Sequence, residues 1–266
     1  APMPATMMHM PMTVQMILRH GATVFPDSVV VDFDGEQVTH TRYADIAANA
    51  VRLANLLRDL GVRPGDRVGT FSWNNREHQE AYLAIPSMGA IMHTINVRLS
   101  TEQIAYVINH AEDRVLIVDA QLLDVLTPAL PFLETVQHLL VVGEAHDPGN
   151  GTIHGHDYRA AVSQQADDYP WPALDENAAA AVCYTSGTTG NPKGVVYSHK
   201  TTYLHALASR ATDTFGICEA DRLLLLPPMF HANSWGMPYS GWFSGSDLVM
   251  PGPHVQPDKL VRLIGS

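Results

Sequence analysis

A polar, glycine-rich decapeptide between two apolar runs constrains this chain more than any other stretch. Residues 178–184 read Ala-Ala-Ala-Ala-Val-Cys-Tyr without a charge, and residues 195–197 form a second apolar run. The decapeptide that joins them, residues 185–194, reads Thr-Ser-Gly-Thr-Thr-Gly-Asn-Pro-Lys-Gly. Short apolar runs bounded by turn residues are typical of buried strands, so the decapeptide is predicted to be a tight connection between two strands.

The residue types of this connection are suited to holding phosphate. Its glycines allow positive φ and leave backbone N–H groups open to a ligand, its hydroxyls donate to phosphoryl oxygens or coordinate a hard cation, and its lysine adds positive charge. An ordinary Gly/Ser/Thr surface loop is the alternative, and neither the Walker A ending nor the Gly-x-Gly-x-x-Gly spacing is present. The predicted phosphate-binding residues are Thr185, Ser186, Gly187, Thr188, Thr189, Gly190 and Lys193, with Gly194 closing the loop.

Residues 39–142 alternate between helical and strand-like hydrophobic patterns. Ile46, Ala50, Leu53, Leu57 and Leu60 recur every three or four residues, which predicts a helix that stops at Gly61. Because strands and helices then alternate, the sequence predicts a parallel sheet with helices on both faces. The predicted strands are Arg67–Phe71, Ile91–Ile95, Val115–Val118 and Leu139–Val142, and the predicted helices begin at Asn74 or Asn75, run from Ser100 to His110, and lie near Gln121.

Residues 143–177 are predicted to be a connection with one short helix around Asp157–Gln164, because Pro, Gly, Asp and Asn are frequent there and periodicity is weak. His154 and His156 invite a metal interpretation. Zinc needs a third or fourth ligand that the sequence does not identify, so a solvated loop is favoured.

A second loop of functional interest follows a predicted helix, Thr201–Thr212, and a predicted buried strand, Leu223–Leu226. In open parallel sheets ligands bind beyond the carboxyl ends of strands, and residues 227–236 occupy such a position. Phe230, His231 and Trp235 offer aromatic faces and a hydrogen bond to a purine or an acyl group. The alternative is that His231 is a packed core residue.

Bulk properties exclude several classes of protein. The 266 residues, 46% of them hydrophobic, are enough for one large or two ordinary domains, and the formal net charge of −11 argues against non-specific nucleic-acid binding. The two cysteines do not make a disulfide framework. No apolar run approaches the length of a membrane span and no signal peptide is recognisable, so a cytoplasmic protein without an integral membrane segment is expected.

The segment Tyr184–Gly194 resembles the phosphate loop of the adenylate-forming superfamily, which includes acyl-CoA synthetases, peptide-synthetase adenylation domains and luciferases. The resemblance extends from about Thr13 to Ile264, through Val62–Val68, Asn96–Leu99 and Pro228–His231. Residues 229–239, followed by Pro-Gly-Pro at 251–253, are most similar to medium- to long-chain fatty acyl-CoA synthetases.

This resemblance implies the layered αβαβα, parallel-sheet architecture of the large N-terminal domain of these enzymes, in truncated form. The implied division is a flexible tail at residues 1–12, a first α/β subdomain at 13–176, and the start of a second α/β subdomain at 177–266 that carries the phosphate loop. The mobile C-terminal domain of the family is expected to be absent, as are the Tyr-Gly-x-Thr-Glu segment and the ribose-binding aspartate.

The implied reaction joins a fatty acid to ATP, giving an acyl-adenylate and pyrophosphate, and then transfers the acyl group to coenzyme A. The loop hydroxyls and Lys193 would steer the β- and γ-phosphates, with Thr185 as a Mg²⁺ ligand. His231 would lie near the reacting carboxylate as the catalytic residue. Ala232 and Trp235 would flank the nucleotide, and Trp235, as a gate, and Phe230 would contact the acyl substrate.

Because several family elements are missing, this polypeptide is expected to be inactive alone. Adenylation of an aryl acid, an amino acid or a luciferin is the alternative activity, and a non-catalytic nucleotide-binding fragment is the alternative of another class. The resemblance also leaves open a homodimer and a peripheral contact with a membrane.

Overall fold

Two sheets separated by helices carry the fold. The computed structural model describes residues 3–144, 151–185 and 191–265. The strands are β1 (Val29–Phe33), β2 (Val38–Arg42), β3 (Arg67–Phe71), β4 (Ile91–Thr94), β5 (Asp113–Asp119), β6 (His138–Val142), β7 (His154–Asp157), β8 (Ala179–Thr185), β9 (Lys193–Ser198), β10 (Arg222–Leu224) and β11 (Asp247–Met250). The helices are α1 (Val14–Val24), α2 (Tyr43–Asp59), α3 (Arg76–Ser87), α4 (Thr101–Ala111), α5 (Leu123–Leu126), α6 (Tyr158–Ser163), α7 (His199–Ala208), α8 (Met237–Ser244) and α9 (Pro257–Ile264), with 3₁₀ turns at Ala120–Leu122, Thr127–Phe132 and Ala232–Gly236.

Within the described residues, the larger sheet has seven strands in the order β7-β6-β5-β3-β4-β8-β9. Its strands run parallel except β9, which returns antiparallel to β8 and pairs Lys193 with Thr185. The smaller sheet has the order β10-β11-β1-β2, with β2 antiparallel to β1 and the other pairs parallel. The hairpin β8–β9 therefore lies at one edge of the larger sheet.

The buried side chains of a single strand alternate between hydrophobic cores on opposite faces of its sheet. This alternation shows that the fold has five layers. In β5, Val115 and Ile117 join one buried cluster, and Leu116 and Val118 join another. The first cluster also contains residues of α1, α2 and α3 and, from the smaller sheet, Val30, so these helices lie between the two sheets. The smaller sheet packs its other face against α9. The predicted αβαβα layering is thus confirmed.

Local signals place several elements where the sequence predicts them. Asn75 caps α3 by accepting from the His78 N–H at 2.8 Å. Ser100 and Gln103 form the predicted capping box of α4. Ile46, Ala50, Leu53 and Leu57 of the apolar stripe are fully buried, whereas Leu60 lies just beyond α2 and is partly buried. Gly61 follows at φ +90°, a conformation that glycine adopts without strain.

Three local predictions differ from the structure. The segment His154–Asp157 is not a solvated loop, because it forms the edge strand β7 beside β6. The predicted buried strand Leu223–Leu226 is the three-residue edge strand β10, with Leu226 beyond it and 46% exposed. Helix α7 ends at Ala208 rather than Thr212, since the chain turns there and Ile217 N–H bonds back to the Ser209 carbonyl.

Strands from both sides of residue 176 share each sheet. Strands β8 and β9 extend the sheet built by β3 to β7, and β10 and β11 pair with β1 and β2. The division into 13–176 and 177–266 stays a prediction, and the two ranges are interleaved in both sheets. Among the described residues no helix is both long and apolar enough to cross a membrane.

Candidate functional site

The stem of the predicted phosphate loop is the end of the β8–β9 hairpin. Thr185 is exposed at the end of β8, and its hydroxyl donates to the Lys193 carbonyl at 3.4 Å. The Lys193 side chain is exposed and, within the described parts of the chain, forms no ion pair with a carboxylate. Residues 186–190, which carry the other predicted phosphate contacts Ser186, Gly187, Thr188, Thr189 and Gly190, lie outside the described residues.

Tyr184 fixes the strand just before the loop through a set of polar contacts. Its hydroxyl lies 2.6 Å from His110 Nδ1 on α4, and its ring lies 5.0 Å from the His93 ring. His93 Nδ1 is in turn 2.6 Å from Asp113 Oδ2, with both side chains fully buried. Burial raises the pKa of the Asp113 carboxyl, while the adjacent His93 opposes that rise. The loop therefore starts from a side chain tied to two neighbouring elements.

The chain after β10 takes a rare left-handed path. Ala232, Asn233, Ser234 and Trp235 have φ between 46° and 54°, and Gly236 continues at φ 71°. Each non-glycine residue in this conformation costs roughly 1–2 kcal/mol, so consecutive ones persist only where surrounding contacts hold them. The segment Ala232–Gly236, called here the left-handed turn, is thus a strained element held in place by its neighbours.

Asn233 anchors the left-handed turn in the core. Its side-chain oxygen accepts from Cys183 Sγ at 3.0 Å on β8 and from Thr94 Oγ1 at 3.2 Å on β4, and Tyr82 OH lies 3.5 Å away. Ser234 adds a bond from its hydroxyl to the Pro227 carbonyl at 2.7 Å. Burial raises the pKa of the Cys183 thiol, so it stays a neutral donor. The turn is therefore bonded to the same strand that leads into the phosphate loop.

A cavity of about 420 Å³ opens between the left-handed turn, α7 and the start of α8. Trp235, 60% exposed, lines this cavity together with Tyr197 from β9. The size is within the range of small-molecule sites, which is about 300–1,000 Å³. The lining residues are Tyr197, Thr201, Thr202, His205, Ala232, Asn233, Trp235, Gly236 and Tyr239.

The predicted site residues occupy different surroundings. Ala232 and Trp235 line the cavity together, whereas Thr185 and Lys193 lie at the hairpin stem. His231 is exposed just before the left-handed turn, and its carbonyl accepts from the Ser234 N–H at 3.0 Å. Phe230 is 2% exposed and packs edge-on to Trp73 at 5.7 Å.

Sequence reasoning missed Asn233, Cys183 and Tyr184 as parts of this site. Asn233 lies within the loop at residues 227–236. Its residue type was the available signal, because asparagine tolerates positive φ better than most residues. No local pattern signals its bonds, because its partner Thr94 is 139 positions distant in the sequence.

A second cavity, of about 520 Å³, is lined by buried carboxyls that the sequence analysis did not single out. Burial, assisted by the charge of Glu77, raises the pKa of Asp32 to about 7. Burial also raises the pKa of Asp119 to about 7, although its carboxylate accepts from the Trp73 N–H and the Asn75 amide. Glu77 itself pairs with Arg159 at 2.7 Å.

Comparison with known proteins places these features in a family. A family model described as "AMP-binding enzyme" matches residues 18–265. The 3-methylmercaptopropionyl-CoA ligase of Ruegeria lacuscaerulensis is 42% identical over 260 residues, covering 97% of this chain and 48% of that protein. The long-chain-fatty-acid–CoA ligase of Thermus thermophilus is 42% identical over 261 residues, covering 98% of this chain and 47% of that protein.

The fold has a close counterpart among solved structures. The anthranilate CoA ligase AuaEII in complex with anthranoyl-AMP aligns with a TM-score of 0.80 at 24% identity, covering 93% of this chain and 46% of that one. At that identity the likeness concerns the fold alone. The chain spans about half the length of the curated relatives it matches.

Proposed function

The chain belongs to the AMP-binding enzyme family, and on that premise we propose that it forms the ATP- and acid-binding part of an AMP-forming acyl-CoA ligase. A carboxylate oxygen attacks the α-phosphorus of ATP, the bond to the β-phosphate breaks, and pyrophosphate leaves. The thiolate of coenzyme A then attacks the acyl carbon and displaces AMP. Medium- and long-chain fatty acids are the proposed substrates.

The bond between Cys183 and Asn233 is the observation that carries this proposal. It joins the strand that enters the phosphate loop to the left-handed turn beside the 420 Å³ cavity, at a Sγ–Oδ1 distance of 3.0 Å. Tyr197, on the strand that leaves the loop, lines the same cavity. A triphosphate at the loop and a carboxylate near the turn would thus be held by one connected frame, as an in-line attack requires.

At the loop, the proposed roles follow from charge and exposure. Lys193 has an exposed ammonium and no carboxylate partner among the described residues, so it is free to bind β- or γ-phosphate oxygens. Thr185 offers one hydroxyl oxygen. Since Mg²⁺ keeps several waters and takes one or two protein ligands beside substrate phosphates, a single hydroxyl fits its needs. Bound there, Mg²⁺ would neutralise charge on the phosphates.

At the turn, we assign His231 to the reacting carboxylate, Ala232 and Trp235 to the nucleotide, and Trp235 to direct contact with the acyl substrate. Trp235 is an indole 60% exposed at the wall of a cavity, so its rotation would open or close the entrance. Phe230 would act from within the core by supporting the turn, since it is 2% exposed.

The identity of the carboxylic acid substrate is a separate part of the proposal. One relative is named for 3-methylmercaptopropionate and another for long-chain fatty acids, at equal identity of 42%. The proposed fatty-acid preference depends on the apolar cavity beside Trp235, which would accept an alkyl chain. Adenylation of the short thioether acid is the alternative, which the experiment below distinguishes.

The test is a panel of acids with the full-length protein. AMP formation with ATP, Mg²⁺ and coenzyme A is measured for straight-chain acids of increasing length and for 3-methylmercaptopropionate, in wild type and Trp235→Ala. We expect the highest kcat/KM for medium or long chains and a shift in chain-length preference in the variant. Leu207→Ala, an exposed apolar residue of α7 outside the cavity lining, is the matched control. Unchanged kinetics of Trp235→Ala on every acid would contradict the proposed role of Trp235 as a gate.

A further inference from the structure

Three histidines lie on one face of the larger sheet at its β7 edge. His154 and His156 are two residues apart on β7, so their side chains project from the same face. His138 of β6 is the register partner of His154, which brings a third imidazole to that face. The His138 ring lies 5.6 Å from the His154 ring and 5.2 Å from the His156 ring. None of the three belongs to the site described above.

The spacing of two of these rings suits a metal chelate. His138 Nδ1 and His156 Nε2 lie 3.1 Å apart, where one nitrogen donates its N–H to the other. Two imidazole nitrogens bound to one ion at about 2.0–2.1 Å, with an angle of about 90–110° between them, are about 2.8–3.4 Å apart. The two nitrogens therefore already lie at chelating distance, and a bound ion would take the place of the hydrogen bond between them.

Coordination needs a lone pair, which only a neutral ring offers. The hydrogen bond between His138 Nδ1 and His156 Nε2 already requires one of the two rings to present an unprotonated nitrogen to the other. In the metal-bound form each ring keeps its one proton on the nitrogen that points away from the ion.

The third imidazole does not converge with the other two in this structure. Across the described residues, no group of three or more His, Cys, Asp or Glu side chains is arranged to hold a metal ion. His154 is exposed, and its ring lies 5.6 Å from the His138 ring. The geometry is accordingly that of a two-nitrogen site with open positions for water.

We propose that His138 and His156 form a surface site for a borderline transition-metal ion, Cu²⁺ first and Zn²⁺ after it, with His154 as an additional ligand from the same strand. Imidazole ligands select such ions over Mg²⁺ and Ca²⁺, and affinity follows the order in which Cu²⁺ exceeds Ni²⁺ and Zn²⁺. A bound ion links β6 to the edge strand β7: two waters leave the ion, the hydrogen bond between the two rings breaks, and the proton that it held moves to the ring nitrogen that points away from the ion.

The experiment titrates the 266-residue chain with CuCl2, ZnCl2 and MgCl2 at pH 7.5 in a non-chelating buffer, followed by calorimetry. The variants are His156→Ala, His156→Gln, His138→Ala and His154→Ala. His40→Ala, which removes an exposed histidine from strand β2, is the matched control. Far-ultraviolet circular dichroism checks that each variant is folded, and electron paramagnetic resonance of the Cu²⁺ complex counts coordinated nitrogens.

We expect the wild type and His40→Ala to bind Cu²⁺ more tightly than Zn²⁺. Titration with Mg²⁺ should give the same heat in the wild type and in the His156 variants. Both His156 variants and His138→Ala should weaken Cu²⁺ binding at least about tenfold, and His154→Ala by a smaller factor. The wild-type resonance should show at least two nitrogens, with fewer after His156→Gln. Equal Cu²⁺ affinity in wild type and both His156 variants would overturn the proposal, as would equal loss in His40→Ala.

Discussion

The replacement of Asn233 by alanine tests how the left-handed turn is held. The change removes the acceptor of Cys183 Sγ and Thr94 Oγ1, which lie 3.0 and 3.2 Å from it. These two donors are 3.1 Å from each other, so one can bond to the other and one remains unsatisfied. A buried unsatisfied donor costs about 1–3 kcal/mol, and alanine at φ 51° adds roughly 1–2 kcal/mol.

Part of the backbone cost is already present with asparagine, so the two terms are not added in full. Together they lower the free energy of unfolding by about 2–4 kcal/mol. For a chain of this size each kcal/mol lowers Tm by about 2–4 °C, so a fall of about 4–16 °C is expected. Urea denaturation followed by circular dichroism measures the free energy, and a thermal scan measures Tm.

A glycine variant separates the two terms. Asn233→Gly also lacks the acceptor, but glycine adopts positive φ without strain, so it should be about 1–2 kcal/mol more stable than Asn233→Ala. Asn177→Ala, which replaces an exposed asparagine, should change stability by less than about 0.5 kcal/mol. The reasoning fails if Asn233→Ala matches the wild type within about 0.5 kcal/mol, or if the glycine variant is the less stable of the two.

Two further predictions concern the groups around the site. Burial, assisted by the charge of Glu77, raises the pKa of Glu80 from 4.5 to about 8. The folded chain thus keeps a proton that the unfolded chain releases, and wild-type stability should fall by up to about 1.4 kcal/mol per pH unit from about pH 4.5 to 8 and then level off. Denaturation at several pH values should show this decline reduced in Glu80→Gln, and parallel curves would contradict it. Tyr184→Phe removes the hydroxyl that lies 2.6 Å from His110 and should lower the free energy of unfolding by about 0.5–1.5 kcal/mol. In a double-mutant cycle with His110→Ala, fully additive losses would show that the two side chains are not coupled.

Local patterns predicted much of the fold because their causes are local. The α2 stripe, the Asn75 cap and the Ser100 capping box each depend on residues a few positions apart, and the structure confirms all three. The strand Arg67–Phe71 coincides with its prediction, since the turn residues Pro-Gly-Asp at 64–66 mark its start.

Long-range pairing could not be predicted in the same way. The pairing of Val30 with Leu248 places β1 beside β11, and no local pattern indicates that partner. Strand β7 was mistaken for a loop because a His-Gly-His-Asp sequence lacks the β-branched and aromatic residues of typical strands; its pairing with β6 overrides that weak propensity.

The candidate site was predicted by residue type rather than by geometry. Thr185, Lys193 and Trp235 stood out because hydroxyls, a lysine and an indole in loops suggest ligands. The contacts that connect them, through Cys183 and Asn233, depend on tertiary packing across 50 positions of sequence. The left-handed turn has no sequence signature apart from an asparagine and a glycine.

Equilibrium binding of ATP with Mg²⁺ to the 266-residue polypeptide tests the central claim most directly. Calorimetry should show one ATP bound per chain. Lys193→Ala should weaken binding about ten- to a hundredfold, since a hydrogen bond to a charged group contributes roughly 1.5–3 kcal/mol. Lys259→Ala, whose ammonium binds the Gly35 carbonyl at 2.7 Å, should leave binding unchanged. Absence of ATP binding, or equal affinity in wild type and Lys193→Ala, would contradict the assignment of the hairpin loop as the triphosphate site.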